Sequence, residues 1–296
     1  MKILVSSYYL DLSGVPTYTL TMVNELRQRG HDVEVYTIEG GALAKPLGAV
    51  KNTARLSEPD VIIAQSNACA YRLRYNFPDT PMIFMAHGVT PQLEQPPEDI
   101  AVQRYTAINE DTAANLQVHG VPVSQIEIVR DFVDLNRFEP KTTPGPFPKR
   151  VLFISNFRKG KTLPIISDAC EKLGLTLTCV GAPYGRTGHV EKIINQNDLV
   201  ISTGRGILEG MACGRPVLSF GQERGDGYLT HEVYLDSRTR NFAGLASRFK
   251  FDVDMLAKEI WLYKQSDSFA NRQLAMQYHN SVEGVTKILS ICEGIL

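Results

Sequence analysis

No two cysteines in this sequence are spaced C-x-x-C, and the five present (Cys69, Cys170, Cys179, Cys213 and Cys292) are scattered and odd in number. That excludes a disulfide framework and a zinc site of closely spaced thiolates, and leaves reduced core thiols as the expectation. Surplus charge is also missing. The 31 Lys and Arg residues stand against 32 Asp and Glu, for a net charge of -1. This argues against a general polyanion binder, and so against nucleic acid as a partner, while leaving room for a local basic patch. No apolar run approaches the roughly 18–20 residues that span a bilayer. Met1 to Ser7 holds one Lys and a short apolar run with no small-residue cleavage site behind it. It reads as a first strand rather than a signal peptide, and the expected compartment is the cytoplasm.

What is present is a soluble-type balance, 43% hydrophobic and 21% charged, over 296 residues. That length suits two compact domains. Strand and helix patterns alternate. Strands are expected at 2–6, 31–38, 61–65, 82–86, 105–108 and 126–129, with a helix from Gly14 to a stop at Gly30 and another from an Asn109 cap to Gly120. Residues 141–148, with three prolines and a glycine, read as a linker. A second series follows, with strands at 151–155, 175–180, 198–202 and 216–220 and helices at 162–173, 190–195 and 206–213; beyond Asn241 the pattern is almost wholly helical. The expected fold class is α/β, with two Rossmann-like domains over 1–143 and 144–275 facing across a cleft and a final helix, 276–296, packing back toward the first. In such sheets ligands bind beyond the C-terminal ends of the strands, so the loops there are where chemistry is expected.

The most informative of these loops runs from Ser202 through Gly204, Arg205 and Gly206 into a helix bearing Glu209. Glycines admit close backbone approach, and a helix N-terminus offers unpaired N–H groups to an anion. Arg205 supplies a two-pronged phosphate donor, and Glu209 an acceptor for vicinal ribose hydroxyls. Those are the parts that hold a nucleoside diphosphate. An ordinary βα turn with a charge suited to the helix dipole explains the same residues, and spacing alone leaves both readings open. Arg158, Lys159 and Lys161 put three cations in four residues after the strand 151–155; they suit a diphosphate or plain solubility. His87 closes the strand 82–86, a structural hydrogen-bonder or a candidate catalyst by position. Gly14 lies in the loop after the first strand, which is not a G-x-G-x-x-G fingerprint.

Together these stretches resemble a GT-B glycosyltransferase, and most closely the family 4 retaining enzymes. Asn24 to Val35 resembles the family's "L-x-x-R-G-H-x-V" segment, and Met82 to Gly88 the strand with its active-site histidine. Ile128 to Pro140 is similar to "N-G-V-D-x-x-x-F-x-P", with Asp131 and Phe132 where Asn and Gly are usual, and Leu208 to Val217 is similar to "L-E-A-M-A-x-G-x-P-V". The resemblance implies sugar transfer from a nucleoside diphosphate donor to an acceptor hydroxyl, with retention and without metal or cofactor. The acceptor would be a glycan, a lipid-linked sugar or a small molecule, in glycan or surface-polysaccharide biosynthesis. It implies Glu209 on the donor ribose, Arg158 and Lys161 (with Lys159 as rival) on the diphosphate, Gly14 near the donor phosphates, and His87 near the transferred sugar. Where the pattern has an earlier glutamate, this chain has Ile201; three readings stay open, that backbone amides around 203–206 hold the sugar, that the sugar is bound loosely, or that activity is lost.

Two other readings stay open: a GT-B epimerase of nucleotide sugars, and a non-catalytic nucleotide-sugar or glycan-binding subunit, which Ile201 favours. Tyr71 to Tyr75 reads first as an amphipathic surface helix, with a contact to a membrane or to an acceptor glycan as the alternatives; peripheral contact with the inner face of a membrane stays open for the protein. Residues 221–227 read as a polar strand-end loop in which Glu223 or Asp226 could touch the sugar. Trp261, the lone tryptophan, lies in the helical tail, and the packing of the last helix against the first domain that the resemblance implies would account for a large aromatic late in the chain.

Overall fold

The computed structural model describes residues 1–157, 162–222 and 224–296. They form two compact units, Met1–Asp131 with Ser281–Leu296, and Phe132–Asn280.

The first unit contains β1 (Lys2–Tyr9), α1 (Gly14–Gln28), β2 (Asp32–Gly40), α2 (Ala44–Leu47), β3 (Val61–Ala64), α3 (Asn67–Asn76), β4 (Met82–Ala86), β5 (Arg104–Ala107), α4 (Glu110–Val118) and β6 (Ile126–Ile128). The second contains β7 (Arg150–Ile154), α5 (Thr162–Lys172), β8 (Thr176–Val180), α6 (Val190–Ile194), β9 (Leu199–Ser202), α7 (Arg205–Ala212), β10 (Val217–Gly221), β11 (Arg224–Tyr228), α8 (His231–Ser237), α9 (Val253–Trp261) and α10 (Asp267–Tyr278). The chain ends in α11 (Ser281–Glu293), which returns to the first unit: the Arg29 guanidinium, at the end of α1, donates to Thr286 Oγ1 at 2.8 Å and to the Val282 carbonyl at 2.6 Å.

Strand order in the first sheet is β2-β1-β3-β4-β5-β6, all parallel. In the second it is β11-β10-β9-β7-β8. Renumbered within each unit, the first sheet runs 2-1-3-4-5-6 and the second 2-1-3-4-5, doubly wound orders whose direction reverses beside the first strand. The loops after β1 and β3, and after β7 and β9, therefore flank the two switch points.

Local chemistry explains most boundaries. Asn109 Oδ1 accepts from the Thr112 amide at 2.8 Å and caps α4, whose first turn carries Glu110 and Asp111. In the second sheet, side chains alternate between faces. Leu152, Val200 and Val217 pack under α7 and α10, while Val151, Phe153, Ile201 and Phe220 pack with α5 and α9.

The Pro-rich segment 141–148 belongs to the second unit, so the sequence boundary at 143/144 falls inside that unit. Its partners are the reason. Asn195 Oδ1 accepts from the Lys141 amide, Tyr263 donates to the Gly145 carbonyl at 2.6 Å, and Gln265 donates to the Pro144 carbonyl. Asp198, 2% exposed, accepts from the amides of Gly145, Lys149 and Arg150 and from the Arg150 guanidinium at 3.1 Å. Burial pushes this carboxyl up, but the guanidinium and the three amides outweigh it and hold it below the ordinary aspartate value. A folded pKa below the unfolded one stabilises the protein above the unfolded value, and that stability is lost as pH falls through the folded one. Asp198→Asn therefore destabilises the second unit near neutrality, and urea unfolding shows the gap to wild type closing below about pH 4.

Three expectations are corrected. Residues 224–228 form strand β11, antiparallel to β10, instead of a loop. Asp226 faces inward, 2% exposed, accepting from Ser237 Oγ at 2.9 Å and the Ser247 amide at 2.8 Å. A sugar contact from it is excluded, and Glu223 lies outside the described residues. Trp261 is 73% exposed at the end of α9 and fills no core. Tyr71 to Tyr75 lies in α3, with Leu73 inward and Tyr75 out. Among the described residues, no helix is long and apolar enough to cross a membrane.

Candidate functional site

In the first unit the site is built at the ends of β1, β3 and β4. Gly14 opens α1 with no other group within 4 Å of where its Cβ would stand, so its backbone is open to approach. His87 follows β4, and its Nε2 lies 2.9 Å from Gln65 Oε1. The Gln65 amide nitrogen donates to Thr19 Oγ1 at 2.8 Å and to the Ser6 carbonyl at 3.3 Å. A carbonyl only accepts, so that nitrogen is fixed as the donor and Oε1 as the acceptor. His87 Nε2 therefore carries a proton, a tautomer set by a chain of partners reaching back to β1 and α1. The Tyr18 ring meets the imidazole edge-on at 4.9 Å and orients it further. Gln65 and Tyr18 escaped the sequence reading. Gln65 closes a strand just as His87 does, and that position is the signal that could have found it.

In the second unit, Gly204, Arg205, Gly206 and Glu209 come together at the end of β9. Gly204 adopts a positive φ of 58° before α7, and its amide donates to the Phe242 carbonyl at 2.8 Å. That carbonyl is delivered by two successive left-handed residues, Asn241 (φ 49°) and Phe242 (φ 54°), the second an unusual place for a phenylalanine, which is held by full burial. A Cβ on Gly206 would meet Ser202 Oγ at 2.2 Å, so this glycine lets α7 start hard against the sheet. The first amides of α7 lack intrahelical acceptors, which makes its N-terminus the anion-attracting end.

Arg205 and Glu209, read from the sequence as phosphate clamp and ribose acceptor, are each other's partners: Arg205 Nε lies 3.2 Å from Glu209 Oε1, both side chains nearly buried. Arg205 Nη1 also donates to the Phe132 carbonyl at 2.8 Å. The pair fixes the Glu209 carboxylate one turn into α7. Phe132 is the residue that departs from the family's usual Gly, and its contribution here is a backbone carbonyl, so no side-chain reading could have located it. Ile201 is fully buried in β9, between Phe153 on β7 and Leu218 on β10. Arg158, Lys159 and Lys161 lie outside the described residues.

No family model matches the chain, and no curated protein matches it either. Solved structures do. HepE of Anabaena in complex with UDP-glucose superposes with a TM-score of 0.73 at 14% identity, over 99% of this chain and 100% of that one. An α-glucosyltransferase in complex with UDP and a 13-mer DNA containing an HMU base gives 0.69 at 10% identity, over 98% and 99%. Sucrose-phosphate synthase from Thermosynechococcus elongatus gives 0.64 at 14% identity, over 99% and 98%. The chain shares the GT-B glycosyltransferase fold with these proteins.

Proposed function

We propose that this chain is a glycosyltransferase that moves a sugar from a nucleoside diphosphate donor to an acceptor hydroxyl. The observation that carries this reading is Glu209, a carboxylate set by Arg205 just inside the helix that follows the switch-point turn of the second unit. A carboxylate there accepts from two vicinal ribose hydroxyls, while Gly204, Gly206 and the helix amides leave room for the diphosphate. The cations of Arg158, Lys159 and Lys161 then offset the charge that develops as the diphosphate departs, a role needing neither metal nor cofactor. His87, its ring held by Gln65 and Tyr18, stands near the transferred sugar. The bound UDP-glucose of HepE supports a uridine diphosphate sugar as donor. The Leu208 to Val217 motif supports the family 4 likeness and transfer with retention, to a glycan, lipid-linked or small-molecule acceptor, in glycan or surface-polysaccharide biosynthesis.

Calorimetry with UDP tests the reading. Wild type binds, and Glu209→Ala binds about 10- to 150-fold more weakly, the effect of removing hydrogen bonds to a charged group worth about 1.5–3 kcal/mol. Glu209→Gln, which keeps the shape beside Arg205, separates lost ribose contacts from a disturbed helix. Unchanged UDP affinity in a folded Glu209→Ala protein sinks the proposal. The buried Ile201, where the family pattern has a glutamate, favours a second reading as a binding subunit. Under that reading UDP-glucose binds but no UDP is released.

A further inference from the structure

The three most exposed large hydrophobic side chains among the described residues of the second unit are Phe147, Trp261 and Phe269, each between 71% and 73% exposed. All three stand along one rim. Phe147 precedes the start of β7, Trp261 ends α9, and Phe269 lies in the first turn of α10. Tyr263 and Gln265, between the two helices, donate to the Gly145 and Pro144 carbonyls at 2.6 and 2.7 Å. The Lys264 amide donates to the Tyr228 hydroxyl oxygen at 3.1 Å. Tyr228 ends β11 and stands across from Leu218, near the start of β10. This is the edge at which the parallel strands begin, opposite from the Gly204 turn after β9.

Single exposed apolar residues are ordinary on a protein surface. Here the spacing and the charges set them apart. Lys258, Trp261 and Leu262 keep the i, i+3, i+4 interval of one helix face and are exposed, while Leu256, Ala257 and Ile260 pack inward. The acids nearby are taken. Glu259 accepts from the Tyr228 amide at 2.7 Å and Asp267 from the Tyr228 hydroxyl at 2.8 Å. Asp198 is held by Arg150, and Asp254 is paired with Lys172. Lys149, Lys258 and Lys264 are exposed, and among the described residues no carboxylate forms an ion pair with them. The rim thus presents aromatic rings and ammonium groups on a frame that hydrogen bonds hold still.

We propose that this rim, centred on Trp261, docks on the anionic surface of a lipid bilayer. Tryptophan and phenylalanine rings settle at the headgroup boundary, and ammonium groups at the same level meet lipid phosphates. The net charge of the chain is only -1, so the attraction is local to this rim. A second copy of the chain is the poorer occupant, because a symmetric contact sets the same lysines against each other. Docking by this edge leaves the end of the unit that carries Gly204 and Glu209 turned away from the lipid. The inference does not depend on the glycosyltransferase reading.

The test uses the full chain and vesicles of phosphatidylcholine, with or without about 30% phosphatidylglycerol. Trp261 is the only tryptophan, so indole emission reports this rim alone. Wild type co-sediments with the anionic vesicles, its emission shifts to shorter wavelength, and brominated lipid quenches it. Neutral vesicles bind at least about 10-fold more weakly, and added salt weakens the anionic binding. Lys258→Gln with Lys264→Gln lowers vesicle affinity about 30-fold, from about 5-fold for each lysine at an anionic surface. Phe147→Ser with Phe269→Ser lowers it at least about 5-fold, as buried apolar area is lost. Both double variants keep the wild-type melting temperature and UDP affinity, since the altered side chains are exposed. Arg72→Gln with Tyr75→Ser on α3, the other aromatic and basic surface, has no effect. Unshifted emission with anionic vesicles, equal binding to neutral ones, or loss of binding in the α3 variant overturns the proposal. So does a shift that follows protein concentration without lipid, which would make a second copy the occupant.

Discussion

Replacing Arg215 by Leu is expected to cost about 3–5 kcal/mol of unfolding free energy, enough to leave the second unit marginal. Arg215 is fully buried, and its guanidinium donates to the Thr142 carbonyl at 2.8 Å, Thr142 Oγ1 at 2.7 Å, the Ile194 carbonyl, and both the carbonyl and Oδ1 of Asn195. Burial draws its pKa down, yet arginine stays charged. The substitution removes the cation along with its burial cost, but it strands several buried acceptors, each worth about 1–3 kcal/mol when left unpaired. Arg215→Lys keeps the charge and loses the planar fork, so it recovers only part of the loss. Urea unfolding of the three proteins checks the order, and a Leu variant as stable as wild type would show the network to be idle. The consequence reaches the candidate site because Arg215 follows α7 in sequence and anchors its far end.

Gly181→Ala is expected to be as severe, by a different cause. At the end of β8 this glycine has φ +130°, and an added Cβ would stand 1.9 Å from the Ser155 carbonyl oxygen and 2.6 Å from its carbon. Both atoms are backbone, so a rotamer change relieves nothing. Strain of about 1–3 kcal/mol and overpacking of about 1–3 kcal/mol together give about 2–6 kcal/mol. The first unit repeats the arrangement: Gly41, after β2, has φ +139° and a Cβ position 2.4 Å from the Leu10 carbonyl carbon. In each unit the first two strands converge beside the switch point, and only a glycine fits between their ends. Gly181→Ala should lower the melting temperature and UDP affinity together, since Ser155 shortly precedes the basic residues Arg158, Lys159 and Lys161 in sequence. Gly174→Ala provides the control, with a positive φ of 68° but nothing within 4 Å of its Cβ; it costs strain alone. Equal losses at the two positions would show that the close approach at Gly181 contributes nothing.

Much of the fold was legible because parallel strands buried on both faces must be apolar throughout. Val61–Ala64 and Leu199–Ser202 show this, and so were read correctly. β11 was not legible, since Arg-Gly-Asp-Gly-Tyr has neither an apolar run nor alternation. Its Gly225 sits where a Cβ would meet the Ser219 carbonyl at 2.1 Å, and its Asp226 is satisfied by residues brought in from α8 and beyond. The donor-side candidates were found through a motif, yet that motif treats position 215 as variable and says nothing of the most firmly bonded side chain in it.

By itself, then, the sequence determined the alternation of strands and helices, their caps, and the strand-end loops in which His87, Gly204 and Glu209 lie, since periodicity and capping act between near neighbours. The tertiary structure alone decided that Arg205 pairs with Glu209 and the Phe132 carbonyl, that Gln65 sets the His87 tautomer, and that 141–148 adheres to the second unit. The reason is that a buried polar group must find a partner wherever the fold provides one, and those partners are mostly backbone atoms or side chains far away along the chain.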